Sequence, residues 1–247
     1  MHSIVLSRAD VHRGALILVN RAHPWVERAD LALSPALGDP SVRLDSVAAA
    51  RLSECVRACG GAAEIAPVSG WRDASEQRRI WDASLAEHGE AFTRRYVALP
   101  GCSEHQTGLA IDLGRAARRI DFIRPAFPRR GACGRFRRAA ADFGFIERYP
   151  RGKEALTGIA AEPWHFRYVG VPHARLMRDF GLCLEEYAAF LRDGGPRLCP
   201  IGGGRCAQVF YAPCQGDRTE IELCGEAAVS GDNVSGFIVA LWNAGAR

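Results

Sequence analysis

The stretch S-E-H-Q-T-G-L-A-I-D, Ser103 to Asp112, combines two metal-binding side chains, His105 and Asp112, with a glycine between them, Gly108, where the backbone can turn. After the turn comes a short apolar run. Strand alternation over Leu109 to Leu113 sends Ala110 and Asp112 to one face and Leu109, Ile111 and Leu113 to the other. Asp112 is therefore expected in a cleft while its neighbours enter a core. A second stretch, E-P-W-H, Glu162 to His165, supplies another imidazole and another carboxylate. Two histidines and one aspartate leave the fourth corner of a tetrahedral Zn²⁺ open for water, the arrangement that separates catalytic from structural zinc. The expected ligands are His105, Asp112 and His165, with Glu162 as the base. Because a plain strand would put Glu162 and His165 on opposite faces, Glu162 is expected in the turn before the strand, where Pro163 restricts the backbone.

The two motifs together resemble the zinc D-alanyl-D-alanine peptidases of the VanY and VanX type, which share S-x-H-x-x-G-x-A-x-D and a later E-x-W-H. Within that group the likeness is to the soluble bifunctional VanXY enzymes. S-G-W-R at 69–72, Q-R-R-I-W at 77–81, A-L-P-G-C at 98–102 and G-F-I-E-R-Y-P at 144–150 extend the similarity, which covers about residues 60–190 and leaves 1–40 and 197–247 outside. The resemblance implies an α+β fold, a hedgehog-like antiparallel sheet flanked by helices. It also implies hydrolysis of the terminal D-Ala-D-Ala amide, in the free dipeptide or at the end of the peptidoglycan pentapeptide precursor, and a link to vancomycin resistance. By the same resemblance Arg72 steadies the substrate oxygens at the scissile amide, and Ser103 and Gln77 contact the dipeptide. A planar, permanently charged guanidinium suits the first task. Two alternatives carry weight: a peptidoglycan endopeptidase, disfavoured by the lack of wall-binding repeats, and a non-catalytic metal-binding module, disfavoured by Glu162.

Composition sets outer limits. The 247 residues are 48% hydrophobic and 24% charged, as in a folded globular chain. The net charge of +4 comes from scattered arginines. Arg115 to Arg119 and Arg129 to Arg138 lack the aromatic-basic pattern of a nucleic-acid module, so no nucleic-acid partner is expected. No run of roughly 18 apolar residues and no leader pattern is found, which gives the expectation of a cytoplasmic protein without a membrane span. The nine cysteines contain no C-x-x-C pair and are expected as free thiols.

Local signals divide the chain. A strand is expected over Ala15 to Val19, and Ser41 is expected to cap a helix from Val42 to Ala58. Glu64 to Val68 reads as a strand delivering S-G-W-R to a corner. Asp73 and Glu76 then start a helix to about His88, followed by a second over Glu90 to Val97. Arg115 to Arg130 is expected as loop, Gly134 to Phe143 as a short helix, and Lys153-Glu154 as the hairpin before the strand of His165. Pro172 to Phe180 and Leu184 to Leu191 are expected helices. A glycine-rich shift near Gly194 divides a peptidase domain, 1–195, from a small β appendage, 196–247. Strands are expected there at Cys206 to Tyr211, Thr219 to Leu223 and Gly236 to Trp242. Substrate selection, homodimer contact and added stability are its open roles.

Overall fold

The structure, a computed structural model, describes residues 2–243. The chain forms two compact units, one of Val19–Tyr168 and one combining Met1–Leu18 with Val169–Arg247. This division differs from the boundary expected at 195/196, because the two helices after Tyr168 and the N-terminal residues group with the C-terminal strands.

Strand β1 (His2–Ser7) opens the terminal unit. The central unit begins with β2 (Leu33–Ala36), β3 (Asp39–Asp45) and α1 (Ser46–Ala58). It continues through β4 (Ile65–Ser69), α2 (Ala74–Tyr96), a 3-10 turn at Glu104–Thr107, β5 (Ala110–Arg115) and α3 (Gly131–Ala139). It closes with β6 (Phe145–Tyr149), the single turn α4 (Glu154–Thr157) and β7 (Glu162–Tyr168). The terminal unit resumes with α5 (Val171–Phe180), α6 (Leu184–Gly194), β8 (Arg197–Gly202) and β9 (Arg205–Pro213). It ends with β10 (Arg218–Leu223), β11 (Glu226–Gly231) and β12 (Gly236–Asn243).

In the central unit an antiparallel sheet runs in the order β4-β5-β7-β6. One of its faces is apolar. Ile111 and Leu113 of β5 and Trp164 and Phe166 of β7 pack with Leu52, Cys55 and Val56 of α1 and with Phe136 of α3. Phe127, Phe136 and Phe166 meet edge to face at centroid distances of 5.0–5.8 Å. Such pairs add about 0.5–1.5 kcal/mol each beyond burial, so Phe166→Ala would cost about 3–5 kcal/mol. The core thus fixes the sheet from one side, and β5 and β7 turn their alternate residues to the other.

Several local expectations need correction. Residues 39–45 form a strand in which Val42 and Leu44 are buried with period two, and Asp45 caps α1 by accepting from the Val47 and Ala48 amides. The short-period burial and the better cap displace the expected start at Ser41. Ala15 to Val19 is not a strand although Leu16, Ile17 and Val19 are buried. The expectation of two helices on either side of Gly89, by contrast, holds within α2, which breaks at that residue, whose non-helical φ of 79° an L side chain adopts only under strain. A one-turn helix, α4, replaces the tight hairpin.

The terminal unit has more strands than expected. β11, β12, β9 and β8 form an antiparallel sheet, and β1 pairs with β10 in a separate ribbon. Phe237, Val239 and Leu241 of β12 pack with Ile221 and Leu223 of β10 and with Val11. β8 and β11 escaped the sequence reading because Pro200, Gly202, Ala227 and Ala228 weaken their strand signal.

Candidate active site

Asp112 and His165 lie directly opposite each other on β5 and β7. Paired residues of antiparallel strands share a face, so backbone register alone brings their side chains together. His165 Nδ1 is 2.9 Å from Asp112 Oδ1. His105 arrives from the 3-10 turn, which Gly108 ends at φ 73°. Its Nδ1 is 2.7 Å from the Gly70 carbonyl, which can only accept, so that nitrogen carries the hydrogen. Nε2 is left without one, 3.2 Å from Asp112 Oδ2. Gly70 has a steric reason to be glycine, since a Cβ there would sit 2.2 Å from the Arg43 carbonyl.

The donor set fits a metal ion. One atom each from His105, Asp112 and His165 falls within a 4.8 Å cluster, and all three residues are buried. Ligands about 2.0–2.1 Å from a tetrahedral ion sit roughly 3.3 Å apart along each edge, near the spacing of these nitrogen and oxygen atoms. The electrostatics of the three residues differ. Burial and the Arg72 charge push His105 down to about 4, which favours the neutral imidazole a metal needs. Burial would raise Asp112, but His105 and His165 hold it well below the usual carboxylate range. Burial opposes the charge on His165, and Asp112 and Glu104 outweigh it, raising the ring to about 9.

Glu162 is the first residue of β7, paired with Tyr149, rather than part of a preceding turn. The pairing with β6 slips between Glu147 and Tyr149, so Pro163 to His165 oppose Arg148 alone. This bulge breaks the alternation that would have sent Glu162 to the far face. Its carboxylate comes within 3.8 Å of His165 Nδ1, and burial pushes its pKa up to about 8.

Arg72, Gln77, Ser103 and Glu162 line one cleft with the three metal-type residues. Arg72 sits in the corner between β4 and α2, with its backbone amide 3.3 Å from the His105 carbonyl and a buried Nε lacking a hydrogen-bond partner. Gln77 on the first turn of α2 donates to the Ala98 carbonyl at 2.7 Å, while its buried Oε1 is unpartnered. Unsatisfied buried polar atoms on a cleft wall cost about 1–3 kcal/mol each unless a ligand pairs with them. Tyr149 stacks obliquely on the His165 ring, with centroids 4.9 Å apart.

Sequence reasoning overlooked Glu104, Gly70, Arg148 and Arg167. Glu104 is inside the S-E-H motif yet 1% exposed, an unusual burial for a glutamate, and both arginines are fully buried around it. The available signal was the parity of β7, which puts Arg167 on the face of His165.

Residues 41–171 match the family described as VanY, D-alanyl-D-alanine carboxypeptidase. The chain is 44% identical over 180 residues to the bifunctional D-Ala-D-Ala dipeptidase and carboxypeptidase VanXYC of Enterococcus gallinarum, covering 71% of this chain and 94% of that one. The solved vancomycin-resistance D,D-dipeptidase VanXYg, in complex with a D-Ala-D-Ala phosphinate analog, superposes with a TM-score of 0.93 at 42% identity, over 98% of this chain and 99% of the other. That likeness takes in the C-terminal strands, which the sequence motifs had left outside the resemblance. A D,D-pentapeptidase VanY from a VanB-type resistance cassette, solved with Zn(II), matches with a TM-score of 0.59 at 33% identity, over 70% of this chain and 98% of that one. The chain is a peptidase belonging to the VanY D-alanyl-D-alanine carboxypeptidase family.

Proposed function

We propose that the chain is a zinc-dependent D,D-peptidase that cleaves the D-Ala-D-Ala amide of the free dipeptide and of the peptidoglycan pentapeptide precursor. The observation that carries this reading is the convergence of His105, Asp112 and His165 with the buried Glu162 in one cleft. Likeness over nearly the whole chain to a dipeptidase holding a D-Ala-D-Ala analog supports the substrate.

His105 through Nε2, Asp112 through a carboxylate oxygen and His165 through Nδ1 would hold the zinc. When bound, zinc supplies Lewis acidity, acidifying a water and polarising a carbonyl. Glu162 takes the proton of the attacking water and delivers it to the leaving D-alanine nitrogen. Burial that lifts its pKa to about 8 brings its affinity for a proton near that needed for both transfers at neutral pH. Arg72 donates to the oxygen that becomes negative as the amide carbon turns tetrahedral. Its desolvated guanidinium strengthens that attraction without reorganisation. The unpartnered Gln77 Oε1 accepts from an N–H of the substrate, and the Ser103 hydroxyl bonds the dipeptide backbone.

The nine unpaired thiols suit a reducing compartment, and we place the activity in the cytoplasm. Among the described residues no helix is long and apolar enough to cross a membrane. By likeness to vancomycin-resistance peptidases, the chain is assigned the removal of D-Ala-D-Ala termini in that role. The test is D-alanine release from the dipeptide and from the pentapeptide precursor, with and without chelator. Release from either, abolished by chelator and restored by zinc, is the expected result. Absence of release from both overturns the reading.

A further inference from the structure

Glu104 divides its two carboxylate oxygens between different partners. Oε1 accepts a hydrogen bond from Arg148 Nε at 2.7 Å and lies within ion-pair distance of Arg167 Nη1 at 2.9 Å, and all three side chains are 0% exposed. Oε2 faces His165 Nε2 at 3.6 Å. Both of these facing atoms are buried without a hydrogen-bond partner. A donor and an acceptor left opposite each other in a dry interior gain a bond by closing a few tenths of an ångström, and catalytic hydrogen bonds are often long before a ligand seats.

Resting on the proposed zinc site, we infer that Glu104 is a positioning residue, accepting the Nε2–H of His165 so that Nδ1 is the nitrogen turned to Asp112 and the metal. His165 has two nitrogens that could bind a metal, and its ring could flip. An anionic acceptor behind Nε2 fixes the proton on that side and leaves the Nδ1 lone pair forward, as carboxylates behind metal-bound histidines commonly do. His105 solves the same problem in the opposite sense, with the Gly70 carbonyl behind Nδ1 and Nε2 forward. Two histidines reached from different backbone directions therefore present different nitrogens, each set by the acceptor behind it. Arg148 and Arg167 pair the buried Glu104 carboxylate from the other side, without which burying its charge would be prohibitive. Arg167 and His165 belong to the same face of β7, so one strand carries both the ligand and a clamp on its orienting carboxylate.

The rival account is that Glu104 serves only as the counter-ion of two buried arginines. Glu104→Asp separates the two, because it keeps the charge for the arginines and withdraws the oxygen from His165. Zinc affinity is measured by competition with a chromophoric chelator, and the zinc-loaded protein labelled with ¹⁵N-histidine is examined by NMR. Expected for the wild type is a His165 Nε2–H proton protected from exchange. In Glu104→Asp that protection is lost, the His105 Nδ1–H signal is unchanged, and zinc binds about 10–100-fold more weakly. Unchanged affinity and unchanged protection in a folded Glu104→Asp protein overturn the inference alone. If that variant does not fold, the wild-type spectrum decides, because a His165 Nε2–H exchanging as fast as an exposed histidine overturns it equally. A wild-type protein that binds no zinc removes the proposed function and this inference together.

Discussion

Glu162 and His165 hold their side chains within 3.8 Å of each other on a single strand, although only Pro163 and Trp164 separate them. Regular alternation forbids this for residues three apart. The slip in pairing between β7 and β6 permits it, and places the proposed base beside a proposed metal ligand without any intervening loop.

Glu162→Gln keeps the volume of the side chain and removes the proton acceptor. Turnover on the dipeptide is expected to fall by about 10²–10⁴-fold, with zinc content retained. Steady-state kinetics beside elemental analysis check both halves, and near wild-type turnover would remove Glu162 from the base role.

The metal itself is expected at close to one zinc per chain, and His105→Ala or His165→Ala should remove most of it. Zinc at 100 times its dissociation constant would stabilise the wild type by about 2.7 kcal/mol and the variants by far less. Chemical denaturation with added zinc or chelator measures the difference, and equal stabilisation of wild type and variants would place the metal elsewhere.

Arg72→Ala should lower kcat and kcat/KM together, by about 10²–10³-fold, if the guanidinium faces the developing negative oxygen. A rise in KM at constant kcat would instead assign it to ground-state gripping of the substrate. Arg72→Lys, which retains charge without the planar fork, is expected to recover little.

Gly70→Ala tests how the backbone supports the site. The added Cβ meets the Arg43 carbonyl at 2.2 Å, so β4 must shift, and with it the carbonyl that orients His105. Weaker zinc binding is expected alongside lost stability, read by chelator competition and denaturation of the metal-free protein. Unaltered zinc affinity would show that the His105 ring is held by other contacts.

His173 in α5 is buried, its Nδ1 2.9 Å from the Tyr187 hydroxyl, and burial pushes its pKa from 6.5 down to about 3. The unfolded chain therefore binds a proton at this residue that the folded chain refuses. Stability is complete above about 6.5 and declines as pH falls towards 3, by a total on the order of 5 kcal/mol. Urea titrations between pH 4 and 7 with chelator present should show a shallower slope for His173→Gln, and an identical slope would mean that the wild-type residue protonates without unfolding.

The sequence by itself determined which side chains meet in the cleft, since residue type and spacing around Gly108 and Trp164 single out His105, Asp112, Glu162 and His165, which line it together. Periodicity likewise determined that Ile111 and Leu113 are core while Asp112 is not, since strand geometry allows little else. It did not determine where α1 starts, because Ser41 and Asp45 are both competent caps and only the pairing of β3 with β2 chooses between them. Nor did it reveal the bulge in β7, which is a property of two strands rather than one. Glu104 was illegible for the same reason. A glutamate beside a histidine reads as solvent-exposed until the fold brings Arg148 from β6 and Arg167 from β7 onto its carboxylate, and only that long-range pairing makes its burial stable.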